Sequence, residues 1–192
     1  MGYLAVEYID GMNMSTYLES ASSEEQMDVV NSIVDATYHL ATLPIPLNEG
    51  PEPAAGSSLR GYLWSDSGLS TSLASITEME RWMNRILVEY QPGKQIQQFD
   101  FSTSRLVLCH TDLAPRNILR LDNGKIALLD WGSAGFYPPI FEIYAFMIRA
   151  NRKPIFASIL DRLRLDEAHE SQIQLLADVE RILLFSGVFI NR

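Results

Sequence analysis

The chain has 192 residues, of which 47% are hydrophobic and 20% are charged, a composition typical of one soluble globular domain with a substantial core. Its formal net charge of −9 at pH 7 argues against nucleic-acid binding, because a phosphate backbone is bound by a basic surface. There is no apolar run near the roughly 20 residues of a membrane span, no basic signal-peptide region and only one cysteine, so we expect a cytoplasmic protein without a membrane partner or an internal disulfide.

The first predicted element is a short β-strand over residues 3–8, whose sequence Y-L-A-V-E-Y is rich in β-formers and alternates weakly. Asp10 and Gly11 would end it. An ordinary edge strand is the simplest interpretation of so short a segment.

Helices are predicted next, over residues 14–18 and from Ser22 to Leu43. The second begins with a capping box, in which the side chains of Ser22 and Glu25 each accept a backbone N–H of the first turn. Its apolar face is predicted from the residues at helical spacing, which are Met27, Val30, Val34, Tyr38 and Ala41.

Residues 44–75 are rich in proline, glycine and serine and form the longest predicted loop. A loop of this length inside a compact domain is usually functional or mobile. The aromatic segment 61–64, G-Y-L-W, either anchors this loop to the core or lines a binding pocket. Thr77 and Glu80 form a second capping box, which opens a helix reaching Tyr90.

A β-hairpin is predicted within residues 106–132. Asn123-Gly124 favours a two-residue type I′ turn, which pairs Leu121 with Ile126 and Asn117 with Asp130. Opposed residues have Cβ atoms roughly 4.5–5.5 Å apart, so this register places a carboxamide beside a carboxylate, as a hard cation requires. Asp112 lies five residues before Asn117, in a loop that proline keeps from becoming helical.

The remainder, residues 139–192, is predicted to be helical after a turn at residues 135–139. Helices are expected over residues 141–149, 154–163 and 166–189, the last one well buried because apolar residues cover much of its circumference. The fold class is therefore α+β and mostly helical, in a single domain.

The spacing H-x-D-x-x-x-x-N over residues 110–117, followed by D-x-G at residues 130–132, resembles the catalytic loop and metal-binding triplet of the protein-kinase-like superfamily. Ala114 and Trp131 narrow the resemblance to the aminoglycoside phosphotransferase family of small-molecule kinases. Taken singly, His110 is a satisfied buried histidine, Asp112 a turn-former, Asn117 a strand cap and D-x-G a strand exit. Their joint spacing favours the family.

The resemblance implies a function for each of these residues. Asp112 would be the catalytic base, Asn117 and Asp130 the ligands of Mg²⁺, and His110 a structural support. Residues 1–11 would be the linker between the two lobes of a kinase, with the backbone of Glu7, Tyr8 and Ile9 bound to the adenine of ATP. Residues 44–75 would be an insertion that shapes the choice of a small hydroxyl-bearing acceptor.

The resemblance also implies parts that these residues do not supply. There is no G-x-G, and none of the lysines Lys94, Lys125 and Lys153 lies in a strand of the phosphate-gripping type. The expectation is a protein-kinase-like C-terminal lobe with the nucleotide-binding N-lobe missing, able to self-associate through the exposed lobe face. Two functions remain open: an ATP-dependent phosphotransferase acting on a small molecule, or a non-catalytic, kinase-derived binding module.

Overall fold

The computed structural model describes residues 7–45, 50–54, 59–61, 63–64, 73–91, 97–150, 153–163 and 167–186. The helices are α1 (Met14–Ser20), α2 (Ser23–Thr42), α3 (Ile76–Tyr90), α4 (Ile140–Ala150), α5 (Pro154–Leu163) and α6 (Glu167–Ser186). The strands are β1 (Met12–Asn13), β2 (Glu52–Pro53), β3 (Val107–Cys109), β4 (Ile118–Arg120), β5 (Ile126–Leu128) and β6 (Gly135–Tyr137). Short 3₁₀ turns cover Pro115–Asn117 and Trp131–Ser133. The predicted α+β, mostly helical fold class is confirmed.

The strands form two small antiparallel sheets, ordered β1-β4-β5 and β2-β6-β3. The second sheet corrects the prediction of a turn at residues 135–139, since β6 pairs there with both β2 and β3. Gly135 permits this pairing, because a Cβ atom at that position would lie 2.6 Å from the ring of Tyr137 and 2.8 Å from the carbonyl oxygen of Glu52. The two prolines after Tyr137 mark only the end of the strand.

The hairpin β4-β5 exists as predicted, but its register differs by one residue. Ile118 pairs with Leu128, and the loop is the three residues Asp122, Asn123 and Gly124. Leu121 accepts from the backbone N–H of Gly124 at 2.9 Å, and Gly124 has a φ of 79°. This is a turn closed by a left-handed glycine, the usual three-residue hairpin loop, which Asn-Gly supports as readily as a type I′ turn. Asn117 therefore lies opposite Leu129 rather than Asp130.

The structure tests only the end of the predicted first strand and corrects it there. Residues 3–6 lie outside the described residues, and Glu7 and Tyr8 are not in a strand. Strand β1 instead follows Gly11, where the predicted strand was to have ended, and it pairs with β4. A Cβ atom at position 11 would lie 2.9 Å from the carbonyl oxygen of Arg120, so this glycine lets the chain approach the hairpin.

Capping places the helices largely as predicted. The Ser22–Glu25 capping box is present at α2, but α3 begins two residues early, with Ser75 accepting from the backbone of Glu78. The buried face of α2 also differs, since Met27 and Tyr38 are 40% and 53% exposed. Its buried residues are Val29, Val30, Ile33, Val34 and Leu40.

Two clusters of buried side chains form the core. The larger joins α3, α6 and the second sheet to one face of α4, and in it Trp64 stacks on Tyr137 and Phe141 with ring centroids 6.2 and 6.0 Å apart. Trp64 of the predicted aromatic segment thus anchors this segment to the core. The last helix contributes a buried stripe, although its residues Leu184 and Phe185 are exposed.

The smaller cluster of buried side chains fixes the position of the segment between β3 and β4. It packs α1, α2 and α5 beneath the segment that joins β3 to β4, with Leu113 and Ile118 buried on either side of the 3₁₀ turn. Because both ends of this turn are held in the core, the polar residues between them have fixed positions.

Candidate active site

His110 follows β3 and is fully buried. Its Nδ1 accepts from the backbone N–H of Asp112 at 3.3 Å, so Nε2 carries the proton and donates to the carbonyl of Leu129 at 3.0 Å. Burial lowers the pKa of His110, and the carboxylates of Asp112 and Asp130 offset this only in part. The residue is a neutral link between the loop and the hairpin, as predicted.

Glu142 on α4 holds the loop after β3 through hydrogen bonds to its backbone. Its Oε2 accepts from the backbone N–H groups of both His110 and Thr111, the second at 2.9 Å. Thr111 has a φ of 60°, a strained left-handed conformation for a β-branched residue. Its hydroxyl donates to the carbonyl of Ser133 at 2.8 Å. Burial raises the pKa of Glu142 to about 7, although these backbone donors and Arg149 favour its charged form.

Asp112 is nearly buried, and both of its carboxylate oxygens are engaged. Oδ1 accepts from the guanidinium of Arg149 on α4, while Oδ2 accepts from Arg116 at 2.6 Å and from the side-chain amide of Asn117 at 2.8 Å. Charge-assisted hydrogen bonds of this kind fix a carboxylate in one orientation. The carboxylate consequently has little freedom to turn.

The side chain of Asn117 is fixed by two hydrogen bonds to Asp112. Its Nδ2 donates to the backbone carbonyl of Asp112 at 2.9 Å as well as to the carboxylate. With both amide hydrogens used, the amide oxygen is the group left to face a cation. Asn117 and Asp112 are thus brought into direct contact.

Asp130 leaves the hairpin in a left-handed conformation, with a φ of 61°, and is exposed. It follows Leu129, whose N–H donates to the carbonyl of Asn117 at 2.8 Å, so it lies one residue beyond the pair rather than within it. A Cβ atom on Gly132 would lie 3.4 Å from Oδ1 of Asp130, and the glycine of D-x-G leaves that space open. Trp131, 38% exposed, lies against His110 with ring centroids 4.6 Å apart.

Glu7 and Tyr8 are exposed and Ile9 is half-buried, in a segment without regular secondary structure that leads into β1. Because β1 pairs with β4, this segment runs beside the β4-β5 hairpin. Its role towards a nucleotide stays a prediction.

Sequence reasoning missed Arg149, Arg116 and the role of Glu142. Arg149 lies seven residues after Glu142 on an otherwise apolar helix, and residues two turns apart share one face. Two charges on the buried face of an apolar helix were the available signal. Arg116 precedes Asn117 in a turn, and nothing in the local pattern pointed it at Asp112.

The donor types on Asn117 and Asp130 are those that a metal completed by its substrate would use, although the two residues are not cross-strand partners. Among the described residues no group of three or more His, Cys, Asp and Glu side chains could hold a metal ion. Mg²⁺ in phosphoryl-transfer sites usually takes one or two carboxylates, with phosphates and water as the other ligands. One amide oxygen and one exposed carboxylate fit that donor set. In the same part of the chain, no helix has the length and apolarity needed to cross a membrane.

The chain resembles known proteins in its sequence and in its fold. The model of a family described as the phosphotransferase enzyme family matches residues 1–176. The chain is similar in structure to a thermostable mutant of aminoglycoside phosphotransferase APH(4)-Ia in ternary complex with AMP-PNP and hygromycin B, with a TM-score of 0.56 and 14% identity. A structure of a thermostable mutant of the same protein with ADP and hygromycin B has a TM-score of 0.55 and 14% identity. The structure of aminoglycoside phosphotransferase APH(4)-Ia has a TM-score of 0.54 and 15% identity.

In all three comparisons the match covers 94% of this chain and 62% of the other. The chain therefore spans less than two thirds of the length of these structures, and at such identity the likeness establishes the fold. No curated protein is a significant match.

Proposed function

The chain belongs to the phosphotransferase enzyme family, and we propose that its site serves transfer of the γ-phosphate of ATP to a hydroxyl group of a small molecule. The observation that carries the proposal is the direct contact of the buried Asp112 carboxylate with the Asn117 amide, 2.8 Å apart, on a strained loop held by Glu142. A strained loop that is so fully bonded is typical of a functional site.

In this reaction the bond between the γ-phosphorus and its bridging oxygen breaks, ADP leaves, and a new bond forms to the acceptor oxygen. Asp112 orients the acceptor hydroxyl and takes its proton. Asn117 and Asp130 would hold Mg²⁺, which would neutralise charge on the phosphates when bound. The backbone of Glu7, Tyr8 and Ile9 binds the adenine.

Two of the similar structures support a nucleotide co-substrate and a small-molecule acceptor, since they contain AMP-PNP or ADP together with hygromycin B. AMP-PNP, ADP and hygromycin B are ligands of those proteins. The acceptor that this chain takes depends on the residues that line its own acceptor side.

The test is a Mg²⁺ titration of ¹⁵N-labelled protein followed by NMR. We expect shifts at Asn117 and Asp130, weak binding without nucleotide, loss of binding in Asp130→Ala and weakening in Asn117→Ala. Asp122→Ala, which removes an exposed carboxylate from the hairpin loop, is the matched control. Shifts elsewhere with none at these two residues would overturn the metal assignment.

One observation favours the second candidate, a non-catalytic binding module. Each oxygen of the Asp112 carboxylate already accepts from an arginine, and Oδ2 also accepts from Asn117, so an acceptor hydroxyl must compete with these donors. Ligand binding that persists in Asp112→Asn, with no transfer by any form of the protein, would identify that function.

A further inference from the structure

A cavity of about 260 Å³ lies beside the catalytic loop. Ser15 at the start of α1, the 3₁₀ turn at Arg116, the end of α4 at Arg149 and Phe156 of α5 all line it. Its volume is just below the roughly 300–1,000 Å³ common for ligand pockets, which suits a small compound. A larger cavity, of about 610 Å³, lies beside α3 and shares no lining residue with the catalytic loop.

The lining of the smaller cavity is cationic. Arg116, Arg149 and Lys153 contribute to it, and none of the described residues that line it is acidic. This contrasts with the whole chain, which has 24 acidic against 15 basic residues and only three lysines. The larger cavity, in comparison, mixes Glu80 and Glu89 with arginines.

The cationic cavity adjoins the proposed catalytic base. Arg116 and Arg149, which line it, each donate to one oxygen of the Asp112 carboxylate. An acceptor whose hydroxyl reaches Asp112 therefore has the rest of its structure within reach of these cations. Three cationic side chains line the cavity, and the nearby carboxylates are those of Asp112, which two of them contact, and Glu142, which interacts with Arg149.

We propose that this cavity is the acceptor subsite and that it takes a carboxylate or phosphate group carried by a small hydroxylated acceptor. The inference rests on the proposed function and names its substrate class. Arginine forks bind such groups through paired hydrogen bonds, and Phe156 with Pro115 offers an apolar wall for a short carbon stem. A cationic acceptor would meet like charge in this cavity.

Arg116 also gives the anion a way to expose the base. Its side chain is 58% exposed, whereas that of Arg149 is 9% exposed. A bound anion that draws Arg116 towards itself removes one of the two donors on Oδ2 of Asp112 and makes room there for the acceptor hydroxyl, while Asn117 still donates to that oxygen. Arg149 stays in place and keeps the carboxylate oriented.

The experiment is calorimetric titration of the 192-residue protein, at low ionic strength, with D-glycerate, glycerol 3-phosphate and glycerol. These probes share a hydroxylated carbon chain and differ in charge. We expect the two anions to bind at least about tenfold more tightly than glycerol, which corresponds to about 1.4 kcal/mol, and their binding to weaken as salt is added. Equal binding of glycerol and the anions, or no binding of either anion, would overturn the proposal.

Variants that each remove one cation locate the site. Lys153→Gln should weaken anion binding about two- to fivefold, the scale of an exposed ion pair, and Arg116→Gln should do so at least as strongly. Lys125→Gln, at the exposed end of the hairpin, should have no effect. Equal losses in the Lys153 and Lys125 variants would mean that the anions respond only to overall charge, and the subsite would be excluded.

Asp112→Asn separates this proposal from the proposed function. The variant removes the carboxylate that competes for the two arginines, so anion binding should persist or tighten, whatever happens to phosphate transfer. Loss of anion binding in this variant would contradict the subsite. Loss of phosphate transfer with anion binding retained would bear on the role of Asp112 in the reaction and would leave the subsite proposal standing.

Discussion

At the scale of single residues, the site is organised by two buried carboxylates with different partners. Glu142 accepts only from backbone N–H groups of the loop on its Oε2, and among the described residues its Oε1 has no hydrogen-bond partner. The carboxylate of Asp112 accepts hydrogen bonds from two guanidinium groups and from one side-chain amide. Burial of Glu142 is offset only in part, and its pKa of about 7 makes its charge depend on pH near neutrality.

Replacement of Asp112 tests the base. In a form of the protein that carries phosphotransfer activity, Asp112→Asn should lower turnover by about 10²–10⁴-fold, the usual effect of a lost general base, with nucleotide affinity little changed. His110→Ala should act through stability instead, because His110 links the loop to Leu129. Steady-state kinetics beside thermal unfolding separates the two effects, with Asp122→Asn as control. A near-normal kcat in Asp112→Asn would mean that another group takes the proton.

Replacement of Glu142 tests its raised pKa. A carboxyl with a pKa of about 7 in the folded state and about 4.3 in the unfolded state binds more protons when folded, so its contribution to stability falls as pH rises between these values. In Glu142→Gln the new side chain would keep an oxygen for the two backbone donors and would not titrate. From pH 4 to pH 8 the wild type should therefore lose about 2–4 kcal/mol relative to Glu142→Gln.

Urea unfolding at several pH values measures this difference. The histidine contribution is common to both proteins and cancels. Glu89→Gln, at an exposed position of α3, should show no such divergence from the wild type. Parallel stability curves for wild type and Glu142→Gln would mean that Glu142 is charged throughout the range.

At the scale of elements, the two sheets depend on glycines for different reasons. Gly124 requires a backbone conformation, with a φ of 79° and no atom within 4 Å of an added Cβ. Gly135 requires space, because an added Cβ would overlap Tyr137 and Glu52. Gly124 thus determines the backbone conformation of the hairpin loop, and Gly135 determines how closely the strands of the second sheet pack.

These two glycines give a paired prediction. Gly124→Ala should lower the free energy of unfolding by about 1–2 kcal/mol, the penalty of a left-handed alanine. Gly124→Asn should cost less, because asparagine tolerates this conformation. Gly135→Ala should destabilise by about 1–3 kcal/mol through overpacking, and Gly135→Asn by more than Gly135→Ala. Chemical denaturation of the four variants measures these differences, and a Gly135→Asn variant as stable as Gly135→Ala would contradict the packing argument.

What could be predicted at this scale followed local rules. The α2 capping box, the extent of α5 and the existence of the hairpin depend on residues a few positions apart, so they were visible in the sequence. The register of the hairpin was not visible in the sequence, because Asn123-Gly124 suits two loop lengths that differ by one residue. Strand β6 and the contact of Arg149 with Asp112 depend on partners far away along the chain, and no local pattern encodes them.

At the scale of the whole molecule, an acidic chain carries a cationic cavity. None of the described strands contains a lysine, and Lys125 is five residues from Asp130 along the hairpin, roughly 16 Å in extended chain. A nucleotide bound at Asp130 would thus lack a lysine counter-charge from these strands. Tyr8 and Met12, in the segment beside the hairpin, are 86% and 53% exposed.

We therefore predict that the purified 192-residue chain binds Mg-ATP with a dissociation constant on the order of 1 mM or weaker and transfers no phosphate. Exposed apolar side chains such as Tyr8 should favour self-association. Calorimetry with Mg-ATP and sedimentation at increasing concentration measure both. Micromolar binding, or ATP turnover that depends on Asp112, would show that these residues are sufficient for catalysis.

The position of Trp131 has an optical consequence. Of the three tryptophans in the chain, Trp64 is buried and Trp82 packs on the same core cluster, whereas Trp131 is partly exposed against His110. The long-wavelength part of the fluorescence should therefore come from Trp131 and be quenched by acrylamide. Trp131→Phe should shift the emission to the blue and remove any response to Mg-ATP, while Trp82→Phe keeps that response. The active site would then report its own occupancy without an added label.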